Sequence, residues 1–280
     1  MPTVPHLSAA AKAAAPRPRP PSALGAEQPQ RSYPIITVAA PKGGVGKSTL
    51  AYELAASLAM VLVDLDFDNG GVTGMWGDSV RKRERSVLLE GLATDRDDLP
   101  VPKFLTKVGR PGLVPGDHRL AGLKEVSPGS MAHRLQQWTR AWARGVVIDT
   151  HPGTSVLSDA AMAASHLVVV PVVLGAREVG ALTDFLNERG RDFPLMLVPT
   201  MFHGVLGDVA LLKDVVGKID AYGIPIAPPI DYFPWLHRRQ LRCALTLDSN
   251  LGQAPQKAAE QFRAVAMAVK TRLQYGRYPA

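Results

Sequence analysis

The string Pro41-Lys42-Gly43-Gly44-Val45-Gly46-Lys47-Ser48-Thr49 sets glycines, two lysines and two hydroxyls side by side. It fits G-x-x-x-x-G-K-[ST] with Pro41 standing where the first glycine belongs. Gly43, Gly44 and Gly46 let a backbone close around phosphate oxygens with its N–H groups turned inward, and Val45 sits among them. A helix beginning near Lys47 adds the positive end of its dipole. In that arrangement Lys47 reaches the β- and γ-phosphates, Ser48 offers its hydroxyl to Mg²⁺, and Thr49 is a further phosphate ligand. Carboxylates that could serve the same site close two apolar runs, Val61-Leu62-Val63-Asp64-Leu65-Asp66 and Val146-Val147-Ile148-Asp149.

Such groups need elements to hold them. Ile35 to Ala40, Val61 to Asp66, Val146 to Asp149, Leu167 to Val173 and Leu195 to Val198 are short β-branched or apolar runs that predict strands buried on both faces. Ser48 to Met60 shows helical periodicity with Leu50, Leu54 and Leu58 on one face, and Gln256 to Leu273 predicts a closing helix. Ile224 to Ile230, broken by prolines, suits an edge strand or a loop. Between Met75 and Arg144 the pattern gives helices separated by irregular loops. The alternation predicts an α/β fold with a mostly parallel, doubly wound sheet and ligands at the carboxyl ends of the strands, and the glycine-rich motif between the first strand and helix makes it the P-loop NTPase architecture.

The chain has 280 residues, a net charge of +7 and one cysteine, Cys243. A lone thiol excludes an internal disulfide framework and a cysteine-ligated metal cluster within one chain. Residues 1–32 are rich in Ala and Pro and predict a disordered tail ahead of one folded domain, 33–280. The longest apolar run, Leu167 to Leu174, is far short of the roughly 18 residues that span a bilayer, and no secretory signal is visible, so a cytoplasmic protein is expected.

The K-G-G-V-G-K-[ST] string resembles the deviant Walker A motif of the ParA/MinD superfamily of P-loop ATPases, most closely its ParA, Soj-type partition members. The resemblance extends through most of 34–280. It implies an ATP-dependent homodimer in which Lys42 reaches the partner's phosphates, the part an arginine finger takes elsewhere. Val63-Asp64-Leu65-Asp66 looks like the switch I strand, which makes Asp66 catalytic toward the attacking water and Asp64 a Mg²⁺-side or structural carboxylate. Asp149 matches the Walker B aspartate, a Mg²⁺-side group, and Leu113 to Gly122 resembles the strand and loop between the switches. Two departures stand out: Phe67-Asp68-Asn69 replaces the usual Pro-Gln, and His151 stands where the family has proline. The connection from Met60 to Val61 is also shorter than usual.

By the same resemblance, the base is bound by late loops carrying Thr200, Met201 and Pro229, and non-specific DNA by Arg238, Arg239 and Arg242. The implied cofactors are ATP and Mg²⁺. The implied partners are a second copy of the chain, non-specific DNA and a centromere-binding ParB-like protein that stimulates slow hydrolysis, which places the protein on the nucleoid. The alternatives from the same superfamily are a MinD-like positioning ATPase on a membrane and a regulatory or assembly ATPase that needs no DNA. The Arg81 to Arg85 cluster suits a solvated face.

Overall fold

In a computed structural model the described residues are 33–275 without 69–70, 78–87, 89–90, 93–98, 105–108, 124–126, 221, 237–238 and 240–242. The expected tail, 1–32, and the Arg81 to Arg85 cluster lie outside them. The elements run β1 (Ile35–Val38), α1 (Lys47–Ser57), β2 (Val61–Leu65), α2 (Val72–Trp76), β3 (Gly112–Val114), α3 (Pro128–Trp142) and β4 (Val146–Thr150). They continue with α4 (Val156–Ala164), β5 (Leu167–Val173), α5 (Ala176–Arg189), β6 (Leu195–Thr200), α6 (Leu206–Asp220) and α7 (Gln253–Tyr275). Every strand pairing is parallel, in the order β3-β2-β4-β1-β5-β6.

The strands are near-continuous Val, Ile and Leu because helices cover both faces of the sheet. On one face α1 and α7 pack together, with Leu50, Leu54, Phe262 and Val265 in a common core. On the other, α3 and α4 cover β2 and β4 through Met131, Leu135 and Leu157, while α5 and α6 cover β5 and β6 through Leu182, Phe185 and Val215. β1 lies mid-sheet with β4 and β5 on either side, so the loops leaving β1, β2 and β4 gather at one edge. That edge is where a doubly wound sheet opens a crevice.

One expectation needs revising in detail, and one that left two alternatives is decided. The Leu50/Leu54/Leu58 spacing predicts one buried face for α1, yet Ala51, Tyr52, Glu53, Ala55 and Ala56 are buried as well, because α7 closes over the side away from the sheet. The segment 224–230 resolves as a loop that runs beside β6 without a continuous ladder, with a single parallel bridge from Ile226 to Leu197 and a return bond from Ile230 N to the Pro199 carbonyl. Pro225, Pro228 and Pro229 remove the donors a ladder needs. The short Met60–Val61 connection is accommodated by Ala59 in the left-handed region, φ 53°, two residues before β2 begins.

Glu53 is fully buried and organises the approach to α7. Its Oε1 accepts from Leu245 N at 2.9 Å, and its Oε2 accepts from Thr246 N at 3.0 Å and from Thr246 Oγ1 at 2.9 Å. Burial pushes the carboxyl pKa up and these three donors pull it back. Glu53→Gln puts an amide NH₂ against those donors, and it should destabilise the fold by about 1–3 kcal/mol in urea unfolding.

Candidate functional site

The loop between β1 and α1 turns on two glycines in the left-handed region, Gly44 at φ 77° and Gly46 at φ 89°. Gly46 is also the N-cap of α1. A side chain at either position would be strained. Gly44, Gly46, Lys47, Ser48 and Thr49 line a cavity of about 360 Å³, so the unbonded N–H groups of the first helical turn border it. Gly43 is exposed and packs against Pro152, and Val45 is buried under the loop.

Lys47 is 5% exposed, and its Nζ lies 3.4 Å from the Lys42 carbonyl oxygen. Burial lowers its pKa while Asp149 and Asp66 raise it. Asp64 and Asp149 are direct register partners on β2 and β4. Both are buried, at 1% and 0% exposed. Their environments then diverge.

Asp64 is enclosed by backbone. Its Oδ1 accepts from Asp66 N at 3.0 Å and its Oδ2 from Thr73 N at 2.8 Å. A Cβ on Gly71 or Gly116 would stand 2.8 or 2.9 Å from the Asp64 carboxylate, so both positions need glycine for close approach. Burial lifts the Asp64 pKa to about 6 against the pull of these donors. With both oxygens on amides, Asp64 fits the structural of its two expected roles.

Neither carboxylate oxygen of Asp149 accepts a hydrogen bond among the described residues. Burial, then the Asp64 charge, push its pKa well up, while Ser48 and Lys47 nearby oppose the shift. An orphaned buried carboxylate beside a hydroxyl is an all-oxygen donor set, and it suits a hard divalent cation with its own waters. Ser48 and Asp149 therefore fit Mg²⁺.

Asp66 follows the last residue of β2 and lines the cavity together with Asp68. Thr200 and Met201 line the opposite side. The Thr200 hydroxyl donates to the Val45 carbonyl at 2.9 Å, tying the end of β6 to the phosphate-loop candidate. Pro229 is not among the lining residues; the residues after it, Ile230 to Phe233, take that place because Ile230 N bonds back to the Pro199 carbonyl. The wall also contains Met75 and Phe262. They come from α2 and α7, and no local sequence signal marks them.

Lys42 does not line this cavity. Its Nζ lies 3.2 Å from Glu178 Oε1 in the first turn of α5, with the lysine side chain 39% exposed. Arg238 and Arg242 lie outside the described residues. Arg239 is half-buried and its Nη2 donates to the Cys243 carbonyl at 3.2 Å, which gives it an internal partner. Among the described residues no helix is long and apolar enough to cross a membrane.

The AAA_31 family, an AAA domain, matches residues 33–189, and the chain belongs to it. The chromosome partitioning protein ParA of Caulobacter vibrioides is 33% identical over 168 residues, 55% of this chain and 61% of that protein. The chain thus spans about three fifths of the length of that curated relative. Among solved structures, apo McdA of Cyanothece superposes with a TM-score of 0.69 at 19% identity, covering 85% of this chain and 99% of that one. The septum site-determining protein MinD of Pyrococcus horikoshii, complexed with Mg-ADP, gives 0.67 at 16% identity, covering 89% and 100%. These likenesses show the fold: a parallel α/β sheet of the P-loop kind.

The close packing of Gly116 on Asp64 is directly testable. Gly116→Ala should destabilise the protein by about 1–3 kcal/mol in chemical denaturation. Gly122→Ala, with open space around its Cβ, should stay within about 0.5 kcal/mol of the parent.

Proposed function

We propose that the protein is a Mg²⁺-dependent ATPase of the ParA type. Its ATP-bound form pairs with a second copy, holds DNA without sequence preference and so partitions a plasmid or chromosome. The observation that carries this reading is the division of labour between two lysines five positions apart: Lys47 lines the cavity, and Lys42 stands outside it, part-exposed on Glu178. A cation outside its own cavity supports a role toward a facing one. The name of the Caulobacter relative and the Mg-ADP in the MinD structure support the same reading.

In this reading the triphosphate lies along the amides of the glycine loop and the first turn of α1, with Lys47 on the β- and γ-phosphates. The base sits between Thr200–Met201 and the loop after Pro229. Ser48 and Asp149 would hold Mg²⁺, which would supply charge neutralisation at the phosphates. Asp66 accepts the proton of a water whose oxygen attacks the γ-phosphorus. The bond to the β–γ bridging oxygen breaks, and ADP and phosphate leave. Lys42 from the facing copy stabilises the charge that develops on the transferred group.

The net charge of +7 and the arginines at 238, 239 and 242 support salt-sensitive contact with DNA phosphates. Arg239, internally bonded, contributes least. A centromere-binding ParB-like protein completes the cycle by stimulating hydrolysis, on the nucleoid in the cytoplasm. The packing of α7 argues against its lying on a lipid surface, because Ala258, Phe262, Val265 and Val269 are already buried against α1 and the sheet.

Two variants test this reading. Lys47→Ala should lose ATP affinity by about a hundredfold in calorimetry. Lys42→Ala should bind ATP within about threefold of the parent yet elute as a monomer with a non-hydrolysable analogue, because it keeps every group that lines its own cavity and loses the cross-subunit contact along with a part-exposed ion pair to Glu178. A Lys42→Ala protein that dimerises like its parent would defeat the proposal.

A further inference from the structure

Two loops meet behind the carboxylate wall of the cavity. Asp66, Phe67 and Asp68 leave β2, and His151 leaves β4. The His151 Nδ1 lies 3.1 Å from Asp66 Oδ1 and 3.5 Å from Asp68 Oδ2. The Phe67 ring stacks on the imidazole with centroids 4.0 Å apart and planes 23° from parallel. Asp66 and Asp68 line the cavity, whereas His151 does not. Phe67, Asp68 and His151 are among the positions where the sequence departs from the pattern it otherwise resembles, and both Phe67 and Asp68 contact the histidine.

We propose that His151 is a positioning residue: its Nδ1–H donates to Asp66 Oδ1 and fixes the carboxylate that faces the cavity. The inference rests on the reading of Asp66 as the group that accepts the proton from water. Asp66 lies one residue past the paired part of β2, so the ladder holds its backbone but not its side chain. Local bonds do the rest. Asp66 N donates to Asp64 Oδ1, and Asp66 Oδ1 itself accepts from Asp68 N at 3.1 Å. With His151 as a second donor, both acceptor directions of Oδ1 are engaged, which leaves Oδ2 as the oxygen available to a water. Two carboxylates converge on Nδ1, and this selects the tautomer with hydrogen on that nitrogen, since a lone pair there would repel both. Phe67 stacks across the ring and sets its plane. The pair also joins the loop after β2 to the loop after β4.

The test measures ATP turnover together with ATP affinity by calorimetry, in the full chain. His151→Leu removes the donor, His151→Asn returns an amide N–H near the Nδ1 position, and His151→Gln reaches instead toward the Nε2 position. The expected result is a kcat lower by roughly ten- to a hundredfold in His151→Leu, with KM and Kd for ATP within about twofold of the parent. His151→Asn should recover to within about threefold of the parent kcat, and His151→Gln should not. Combining His151→Leu with Asp66→Asn should cost no more than Asp66→Asn alone, because the histidine acts through that carboxylate.

Parental kcat in His151→Leu, or equal loss in the Asn and Leu variants, would overturn the proposal. So would a Gln variant that recovers where Asn does not, since that places the needed atom at Nε2. Asp66→Asn separates this failure from failure of the functional reading: parental turnover in that variant would remove Asp66 from the chemistry. Slow turnover there with an unaffected His151→Leu would sink only the role of the histidine. If His151→Leu loses ATP affinity through misfolding, the Asn and Gln pair, similar in polarity and different in reach, still decides.

Discussion

Two carboxylates buried side by side at the ends of adjacent parallel strands are the constraint on which the rest of the site depends. Asp64 and Asp149 share a register position, and water reaches neither freely. Burial lifts the pKa of both, and the Asp64 charge adds to the shift on Asp149, so the ionised pair is costly without compensation. The two solutions differ. Asp64 is satisfied from within, by the amides of Asp66 and Thr73 and by a glycine lining that lets backbone come close. Asp149 has the ammonium of Lys47 and the hydroxyl of Ser48 nearby, yet neither of its oxygens finds a hydrogen-bond partner of good geometry among the described residues. That deficit is what a cation and its waters remove, and it ties the strand ends to the phosphate loop by electrostatics as well as by chain connection.

The fold places these groups with few parts. β1 and β4 are neighbours in the sheet, so the glycine loop leaving β1 opens directly beside Asp149. β2 is the next strand outward and brings Asp64 and Asp66. α1 must start at the cavity and run back beneath the sheet, and its burial on every side fixes it there. Small residues at 51, 55 and 56 permit close packing, and Glu53 anchors the turn that leads into α7. Gly153 N bonds to the Ala40 carbonyl at 3.1 Å and Thr200 Oγ1 to the Val45 carbonyl at 2.9 Å, which hold the loops after β4 and β6 against the glycine loop. The cavity floor is thus cross-linked from both sides.

Much of this was legible in the sequence because it is local. A buried parallel strand writes itself as a contiguous apolar run, and a phosphate loop as glycines at fixed offsets before a helix. The positions of Lys47, Ser48, Asp66 and Asp149 follow from those runs, as do five of the six strands and the closing helix. What failed to show depends on contacts between distant segments. Met75 and Phe262 join one wall from opposite parts of the chain, and each looks like ordinary core in its own helix. The choice of Pro229 missed by one residue, since the return bond from Ile230 to Pro199 decides which side chains of that loop face inward. Arg239 looks like its neighbours in a basic run, yet it turns toward the Cys243 carbonyl. The meeting of His151 with Asp66 joins positions 85 residues apart, and sequence spacing carries no record of it.

Thermal unfolding of the parent and of Asp149→Asn, each without ligand, with ATP, and with ATP plus Mg²⁺, tests the buried-carboxylate constraint most directly. Unliganded Asp149→Asn should melt no lower than the parent, because burial and the Asp64 charge disfavour the ionised Asp149 more than Lys47 and Ser48 favour it. Mg²⁺ should raise the melting temperature of the ATP-bound parent by several degrees and leave that of the ATP-bound variant unchanged. A variant that retains the full Mg²⁺ increment, or one that melts well below the parent without ligand, would contradict it.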